Sequence, residues 1–507
     1  MPLKTPDQIL LKTPFKRAIP IIDWAPTVTS GADSSVVSPL NQYIQVSQDQ
    51  FISEYDPAGH KINNEHYYSN RIKIDDKGRT YIHFVERLAL PMQSVITTKQ
   101  LTHISGNNIK FIDSNPKPTD AQKSMLAEFK QAWINKNMEE AMHESFEMEK
   151  ITGDTAFCGY IDKDGIFGWR TFGYRNGEIL YPHYDPQTGK LNQFGRRYDQ
   201  VDEFGKIQNT LDVWDDIFVT SYVKDTGLLA KAKALVGING WAQISQSKHG
   251  FDRIPIAYKR NDMGACWSLS QDCIDKYELA VSQLCENNKA YAFRIMFVKG
   301  DDIDVSTVDA SGQPSVIIGG DDSDAKFLEK ADVSSSFELQ LKILLQNIFT
   351  GSFVVIPPEV KGGDLPGVTI KILYSPALEK AMEDAMHWNS FVDNVTAIFK
   401  FGFSVEDGQV AQYNTLKVRG EIIPYVHQND QEIINNLNSS VTMGTLSEET
   451  ARAMHPYAAS DENELCVAEA EGAQSVQIQS EMAKAKISES SKLNSTNQQR
   501  QQDAAAK

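Results

Sequence analysis

The sequence predicts an α+β protein, and three observations carry that prediction. Helical periodicity comes in separate blocks, the longest at 119–151, 268–292, 334–349, 368–401 and 428–442. Alternating and aromatic strand-like runs fill 155–223 without helices between them. A short β-like insert separates the blocks 268–292 and 334–349. Strands and helices grouped along a chain, rather than strictly alternating, are the α+β pattern. With 507 residues the chain is too long for one simple core, so two to four structural regions are expected. Its 41% hydrophobic and 23% charged residues are those of a soluble folded protein.

Residues 1–60 are rich in Pro, Ser and Asp with little periodicity, and read as an extended arm with short ordered pieces. The stretch 81–104 starts as a strand and continues as an amphipathic helix. In 119–151, Met125, Phe129, Trp133 and Ile134 share one face of a first helix. Met138, Met142, Phe146 and Met148 recur at spacings that suit a second, and both stripes read as core. From Thr155 to Val223 the strands are broken by Asp164-Gly165, Asn176-Gly177 and Thr188-Gly189, which predicts an antiparallel meander. Another short strand closes the region within 249–261.

In 268–292, Leu269, Cys273, Tyr277, Val281 and Leu284 form one helical stripe on a rod about 36 Å long. The partner helix 334–349 carries Phe337, Leu341, Leu344 and Ile348. Gly and Pro punctuate 350–367, which predicts a long exposed loop, and loops of that length are functional or disordered. Helix returns at 368–401, a strand follows within 412–424, and 428–442 is helical. A last short helix is framed by Ser447 or Thr445 as its cap, Glu448 and Glu449 in its first turn, and Pro456 beyond its end. Residues 475–507 are dominated by Gln, Ser, Ala and Lys with only a few scattered apolar side chains, and read as a disordered or loosely helical tail.

The net charge is -17, whereas a protein that grips DNA over its whole surface would be basic. This chain either avoids nucleic acid or holds it without sticking to it. Cys158, Cys266, Cys273, Cys285 and Cys466 are odd in number and form no CxxC pair, so a reducing compartment and small buried thiols are expected. The first twenty residues have no continuous apolar core, so no signal peptide is expected, and no run of about 18 apolar residues predicts a membrane span. Phosphate-loop, nucleophile-elbow and zinc-protease patterns are missing, and the ten His are scattered. Gly-Asp-Asp stands at 300–302 and again within Gly319–Asp322. A metal-dependent nuclease built on Asp301, Asp302, Asp321 and Asp322 is therefore one alternative, although Asp-rich turns are common and no helix frames these. Residues 299–332 hold nine acids against three Lys, a difference of -6, so the insert is a solvated or partner-facing acidic surface.

The order of parts carries a resemblance. "YYSNRI" and "RLALPMQSVI" lie within 67–96, "FGYRNGEILYPHYDPQTGKL" spans 172–191, and "GFDRIPIAYKRND" precedes the first long helix. "PGVTIKILYSPALEKAMED" opens the block after the Gly/Pro loop, and "IIPYVHQNDQEIINNLNSSVTMGTLSEET" spans 422–450. In this order the stretches, covering about 60–472, resemble the portal proteins of tailed double-stranded DNA bacteriophages, the class with wing, stem, clip and crown regions. Pro366 stands where that family usually has Ser before the glycine.

The resemblance implies a portal fold: an N-terminal arm at 1–60, a wing at 61–266 and 368–427, stem helices at 267–292 and 334–349, a clip at 293–333, a tunnel loop at 350–367, a helical crown at 428–474 and a flexible tail at 475–507. It implies a homododecameric ring at one capsid vertex, assembled in the host cytoplasm, through which double-stranded DNA is packaged and ejected. Asp301, Asp302, Asp304, Asp321, Asp322 and Asp324 would lie on the clip, which docks terminase and later the head–tail adaptors. Lys361, Gly362, Gly363 and Asp364 would lie on the tunnel loop, the glycines giving it freedom and Lys361 standing as either a phosphate contact or a solvated lysine. Major capsid and scaffolding proteins are the remaining expected partners. No cofactor, metal, catalytic residue or membrane is expected, since nucleotide hydrolysis belongs to the terminase. The other alternative is a different virion structural protein, such as a tail or baseplate component.

Overall fold

The computed structural model describes residues 9–10, 12–18, 43–74, 79–201, 205–224, 241–291, 296–299, 304–308, 314–318, 324–327, 334–356, 372–425, 430–458 and 466–467. The chain divides into two compact units. One is Met1–Pro358 with Tyr374–Tyr425, and the other is Glu359–Leu373 with Val426–Lys507.

The larger unit begins with β1 (Phe15–Ala18) paired antiparallel to β2 (Tyr43–Val46), followed by α1 (Gln48–Tyr55). Ile9, Phe15, Val46 and Phe51 are buried. The hairpin β3 (Arg71–Ile74) and β4 (Thr80–His83) leads through an extended segment to α2 (Met92–Ser105) and β5 (Lys110–Asp113). Thr119 then caps α3 (Asp120–Asn135) in a reciprocal box with Gln122, and α4 (Met138–Thr152) follows after two residues. Met125, Phe129 and Trp133 are buried as the spacing predicts, as are Met138, Met142, Phe146 and Met148. Ile134 is not: it is largely exposed, because the buried arc of α3 is narrower than the apolar one and takes in Ala132 instead.

The strand block forms two antiparallel sheets. β6 (Asp154–Ile161) lies between β7 (Phe167–Phe172) and β13 (Ile256–Arg260). The meander runs β8 (Ile179–Tyr184), β9 (Leu191–Val201), β10 (Ile207–Trp214), β11 (Phe218–Lys224) and β12 (Trp241–Lys248), each hydrogen-bonded to the next. Gly165 and Gly177 adopt the left-handed conformation that makes such turns cheap for glycine alone. Cys158, Phe172, Phe194, Trp214 and Ile256 pack as one apolar cluster drawn from both sheets. Beside it the buried Arg196 guanidinium pairs with Glu178 at 2.5 Å and stacks on Phe172 and Tyr198.

Helix α5 (Gln271–Tyr291) leads to four short strands, β14 (Met296–Lys299), β15 (Asp304–Val308), β16 (Pro314–Ile318) and β17 (Asp324–Phe327). β14 pairs with β17 and β15 with β16, so the insert consists of one hairpin nested inside another pairing. Helix α6 (Ser334–Gly351) follows. Helix α7 (Ser375–Glu406) has 32 residues and is about 48 Å long. Its first turns bury Ala377, Ala381 and Ala385, small residues four apart that let neighbouring backbone come close, and from there on it buries Trp388, Phe391, Val395 and Phe399. Phe399 meets Phe129, Trp133 and Phe167 edge-on, joining α3, β7 and α7 in the largest core cluster. The short α8 (Val410–Tyr413) and β18 (Val418–Glu421), which pairs with β5, complete this unit.

In the smaller unit, α9 (Asp430–Thr442) ends in a turn with Gly444 left-handed, and α10 (Glu448–Met454) follows. Of the two candidate caps it is Ser447 that accepts from Thr450 N–H, and the helix stops just before Pro456. Among the described residues no helix is long and apolar enough to cross a membrane.

Candidate functional site at the root of the helix pair

Helices α5 and α6 are fastened where the first starts and the second ends. Ser270 Oγ donates to Ile348 O at 3.0 Å, and Cys273, Ile274, Tyr277, Ile348 and Phe349 share one apolar cluster. Cys273 and Tyr277 are thus on the predicted stripe of α5, but Leu269 precedes the helix and is mostly exposed. On α6, Ile348 is buried and Phe337, Leu341 and Leu344 half-buried, as expected.

The fully buried line of α5 is a different one, and it is largely polar. Ile274, Glu278, Ser282 and Glu286 stand four residues apart. Against the last three runs the extended segment 86–90 of the same chain. Glu86 N–H donates to Glu286 Oε1 at 2.7 Å, Leu88 N–H to Ser282 Oγ at 3.0 Å, and Leu90 N–H to Glu278 Oε1 at 2.7 Å. The spacings permit this: alternate N–H groups of an extended chain repeat about every 6.6 Å, and one side-chain row of a helix about every 6.0 Å. His60 Nδ1 lies 2.7 Å from Glu278 Oε1, and His83 Nε2 lies 3.1 Å from Glu286 Oε2. Burial favours neutral His60, but the hydrogen bond and charge of Glu278 outweigh it, and its pKa rises above the ordinary histidine value.

Five elements converge on a cavity of about 370 Å³. Lys150 of α4 is its hub. Buried, it is ion-paired to Asp384 of α7 and donates to Gln100 Oε1 of α2 at 3.1 Å. Asp384 also pairs with Lys380 at 3.1 Å. Burial alone would discharge Lys150, yet Asp384 and Glu149 hold its proton, so its pKa lies above the usual lysine value. Burial likewise opposes the Asp384 charge, but Lys150 and Lys380 hold its carboxyl below the usual range. Glu149, also on the cavity wall, has no ion pair among the described residues, and burial pushes its pKa up to about 7.

The same cavity meets the exit of α6. Val354 N–H bonds to Phe349 O at 2.9 Å and Phe353 N–H to Thr350 O at 3.2 Å, the two bonds of a Schellman turn. The residue that must be left-handed in that turn is Phe353, with φ of 56°. A side-chain-bearing residue there costs about 1–2 kcal/mol. Gln100 Nε2 grips the preceding carbonyl, Ser352 O, at 2.7 Å.

Lys361, Gly362, Gly363 and Asp364, with Asp301, Asp302, Asp321 and Asp322, fall outside the described residues. Asp304 opens β15 opposite Ile318, and Asp324 opens β17 opposite Lys299. Sequence reasoning missed Gln100, Lys150, Glu278, Glu286 and Phe353. A polar row at four-residue spacing on α5 was the one available signal, and by amphipathic logic it reads as a wet face. Among the described residues no three His, Cys, Asp or Glu are grouped to hold a metal ion.

Comparison with known proteins gives four matches. A family model described as "Phage portal protein, SPP1 Gp6-like" matches residues 45–478. The portal protein of Bacillus phage SPP1 is 20% identical over 455 residues, covering 85% of this chain and 87% of that one. A chain from the neck of an empty gene transfer agent particle, computed with C6 symmetry, has 11% identity and a TM-score of 0.38 over 72% of this chain and 90% of its own. A chain from the virion of a native gene transfer agent particle has 11% identity and a TM-score of 0.33 over 72% and 88%.

Proposed function

This chain belongs to the phage portal protein family of the SPP1 Gp6-like type, a structural rather than enzymatic family, and on that premise we propose that it forms a dodecameric ring at one vertex of a tailed phage head. Double-stranded DNA passes through the bore during packaging and ejection. In this reading α5 and α6 are the stem and the nested hairpins between them are the clip, where terminase docks first and head–tail adaptors later. The acids Asp301, Asp302, Asp304, Asp321, Asp322 and Asp324 belong to that clip. The chain after α6, with Lys361, Gly362, Gly363 and Asp364, is the tunnel loop. Scaffolding and major capsid proteins meet the outside of the ring, which is built in the host cytoplasm.

The observation that carries this reading is the order of long helix, small β insert, long helix and longer helix in a chain that matches the family over most of its length. The surface of α6 supports it. Leu339 and Ile343 are 58% and 47% exposed, and Glu338 and Lys342 are the only charges on the helix. A face so apolar suits contact with a neighbouring copy, and repeated head-to-tail contacts close into a ring. The net charge of -17 suits passage over capture, because each phosphate neutralised would add to binding and slow the sliding strand. Negative-stain electron microscopy of the purified protein tests the proposal: rings with an open axial hole are expected. Compact particles without a bore at every concentration would overturn it.

A further inference from the structure

We propose that Gln100 and Lys150 are positioning residues for the chain that leaves α6: together they hold Phe353 in its left-handed turn and so fix the direction of that exit. The turn has a built-in contradiction. Its hydrogen bonds are those with which α9 ends, where Thr445 N–H bonds to Ser440 O at 3.0 Å and Gly444 N–H to Val441 O at 2.9 Å. There the left-handed position holds Gly444, with φ of 69°, which is at ease in it. At the end of α6 the same position holds Phe353, 41% exposed, so burial of its ring does not supply the restraint.

The restraint is polar and comes from three other helices. Gln100 Nε2 holds Ser352 O, the carbonyl immediately before the strained residue, and Ser352 Oγ donates to Ile348 O at 2.7 Å. Lys150 decides which way the Gln100 amide points. An ammonium only donates, so Gln100 must turn its oxygen to Lys150 and its NH₂ to Ser352 O. Lys150 is in turn held by Asp384, which Lys380 holds from the other side. Asp384 on α7, Lys150 on α4, Gln100 on α2 and Ser352 at the end of α6 therefore form one relay. Val354, buried just beyond, anchors the far side of the turn. That this exit matters for DNA rests on the reading of 350–367 as the channel loop; the relay itself does not.

Hydrogen exchange on the full chain, read at the amides of Phe353 and Val354, tests the relay. Gln100→Leu is expected to speed their exchange about tenfold, and Gln100→Glu, which keeps a bond to Lys150 but loses the donor to Ser352 O, to do the same if the first variant folds poorly. Phe353→Gly alone is expected to leave exchange unchanged or slower. Adding Gln100→Leu to Phe353→Gly should then have little effect, because glycine needs no restraint. Equal acceleration in both backgrounds would make Gln100 mere filling and overturn the proposal, as would no acceleration in either. DNA retained per particle is the second readout. If exchange responds as expected while packaging and retention do not, the relay stands and the channel-loop reading of 350–367 falls.

Discussion

Helices α5 and α6 solve the problem of burial in opposite ways. α5 hides a polar row, Glu278, Ser282 and Glu286, and satisfies it with backbone and His60 and His83 from the same chain. α6 leaves Leu339 and Ile343 in the open beside only two charges. A helix of a free-standing globular protein does the reverse. Burying a carboxylate is tolerable only when it is hydrogen-bonded, and on α5 Glu278 and Glu286 each have two partners. No such completion exists for α6 within the described residues of its own chain. One helix is finished by folding; the other, in the ring proposed above, is finished by assembly.

Three experiments test this contrast. The largest effect is expected for Glu278→Ala, which strands His60 and Leu90 N–H in the interior. Urea unfolding should show a loss of about 3–5 kcal/mol, the scale for breaking a buried pair from one side. A loss under about 1 kcal/mol would mean that α5 is not completed by segment 60–90, and the contrast would fail. The second is Glu149→Gln, at the root shared by both helices. With a folded pKa of about 7 against the ordinary glutamate value of 4.5, Glu149 binds its proton more tightly in the folded state. Its ionisation therefore costs stability in full above pH 7, and the cost fades as pH falls from 7 toward 4.5. The groups facing it are Lys150, Asp384, Lys259 and Lys380. The variant should gain on the order of 1–3 kcal/mol at pH 8 relative to the parent and almost nothing at pH 5. A gain of the same size at both values would assign the effect to packing. The smallest change in stability is expected for Leu339→Ser with Ile343→Ser, within about 0.5 kcal/mol for the isolated chain. Sedimentation velocity should nevertheless show self-association at least about tenfold weaker, a gap of roughly 1.4 kcal/mol in the contact. Unchanged association together with a large loss of stability would place that face in the chain's own core.

What was legible in the sequence was local. The Met and aromatic rows of α3 and α4, the Gly-marked turns of the meander, and Ser447 with its two following acids all declare themselves within a few residues, and each is found. Ile134 and Leu269 were misplaced because an apolar residue near the edge of a stripe, or just outside a helix, has the right spacing without the right neighbours. The polar row on α5 was illegible for a different reason. Its partners stand far back along the chain, with Leu88 and Ser282 separated by 194 positions. Only tertiary structure joins them, so three buried groups looked like three wet ones. Phe353 was hidden by expectation: left-handed helix ends are sought at Gly, and Gly351 two residues earlier offered a decoy. The family was legible because an order of parts survives where single motifs fade.

The pairing of segment 86–90 with α5 also measures itself. Two rulers of unequal pitch lie side by side, drifting apart by about 0.6 Å at every step. Three rungs absorb the drift, but some six would open a gap of about 3 Å and no bond would form. The zipper therefore stops unaided, without a proline or a cap to end it. Its phase is equally strict. Slipping by a single residue would turn carbonyl oxygens toward Glu278 and Glu286, so the misaligned form is repelled rather than merely weaker.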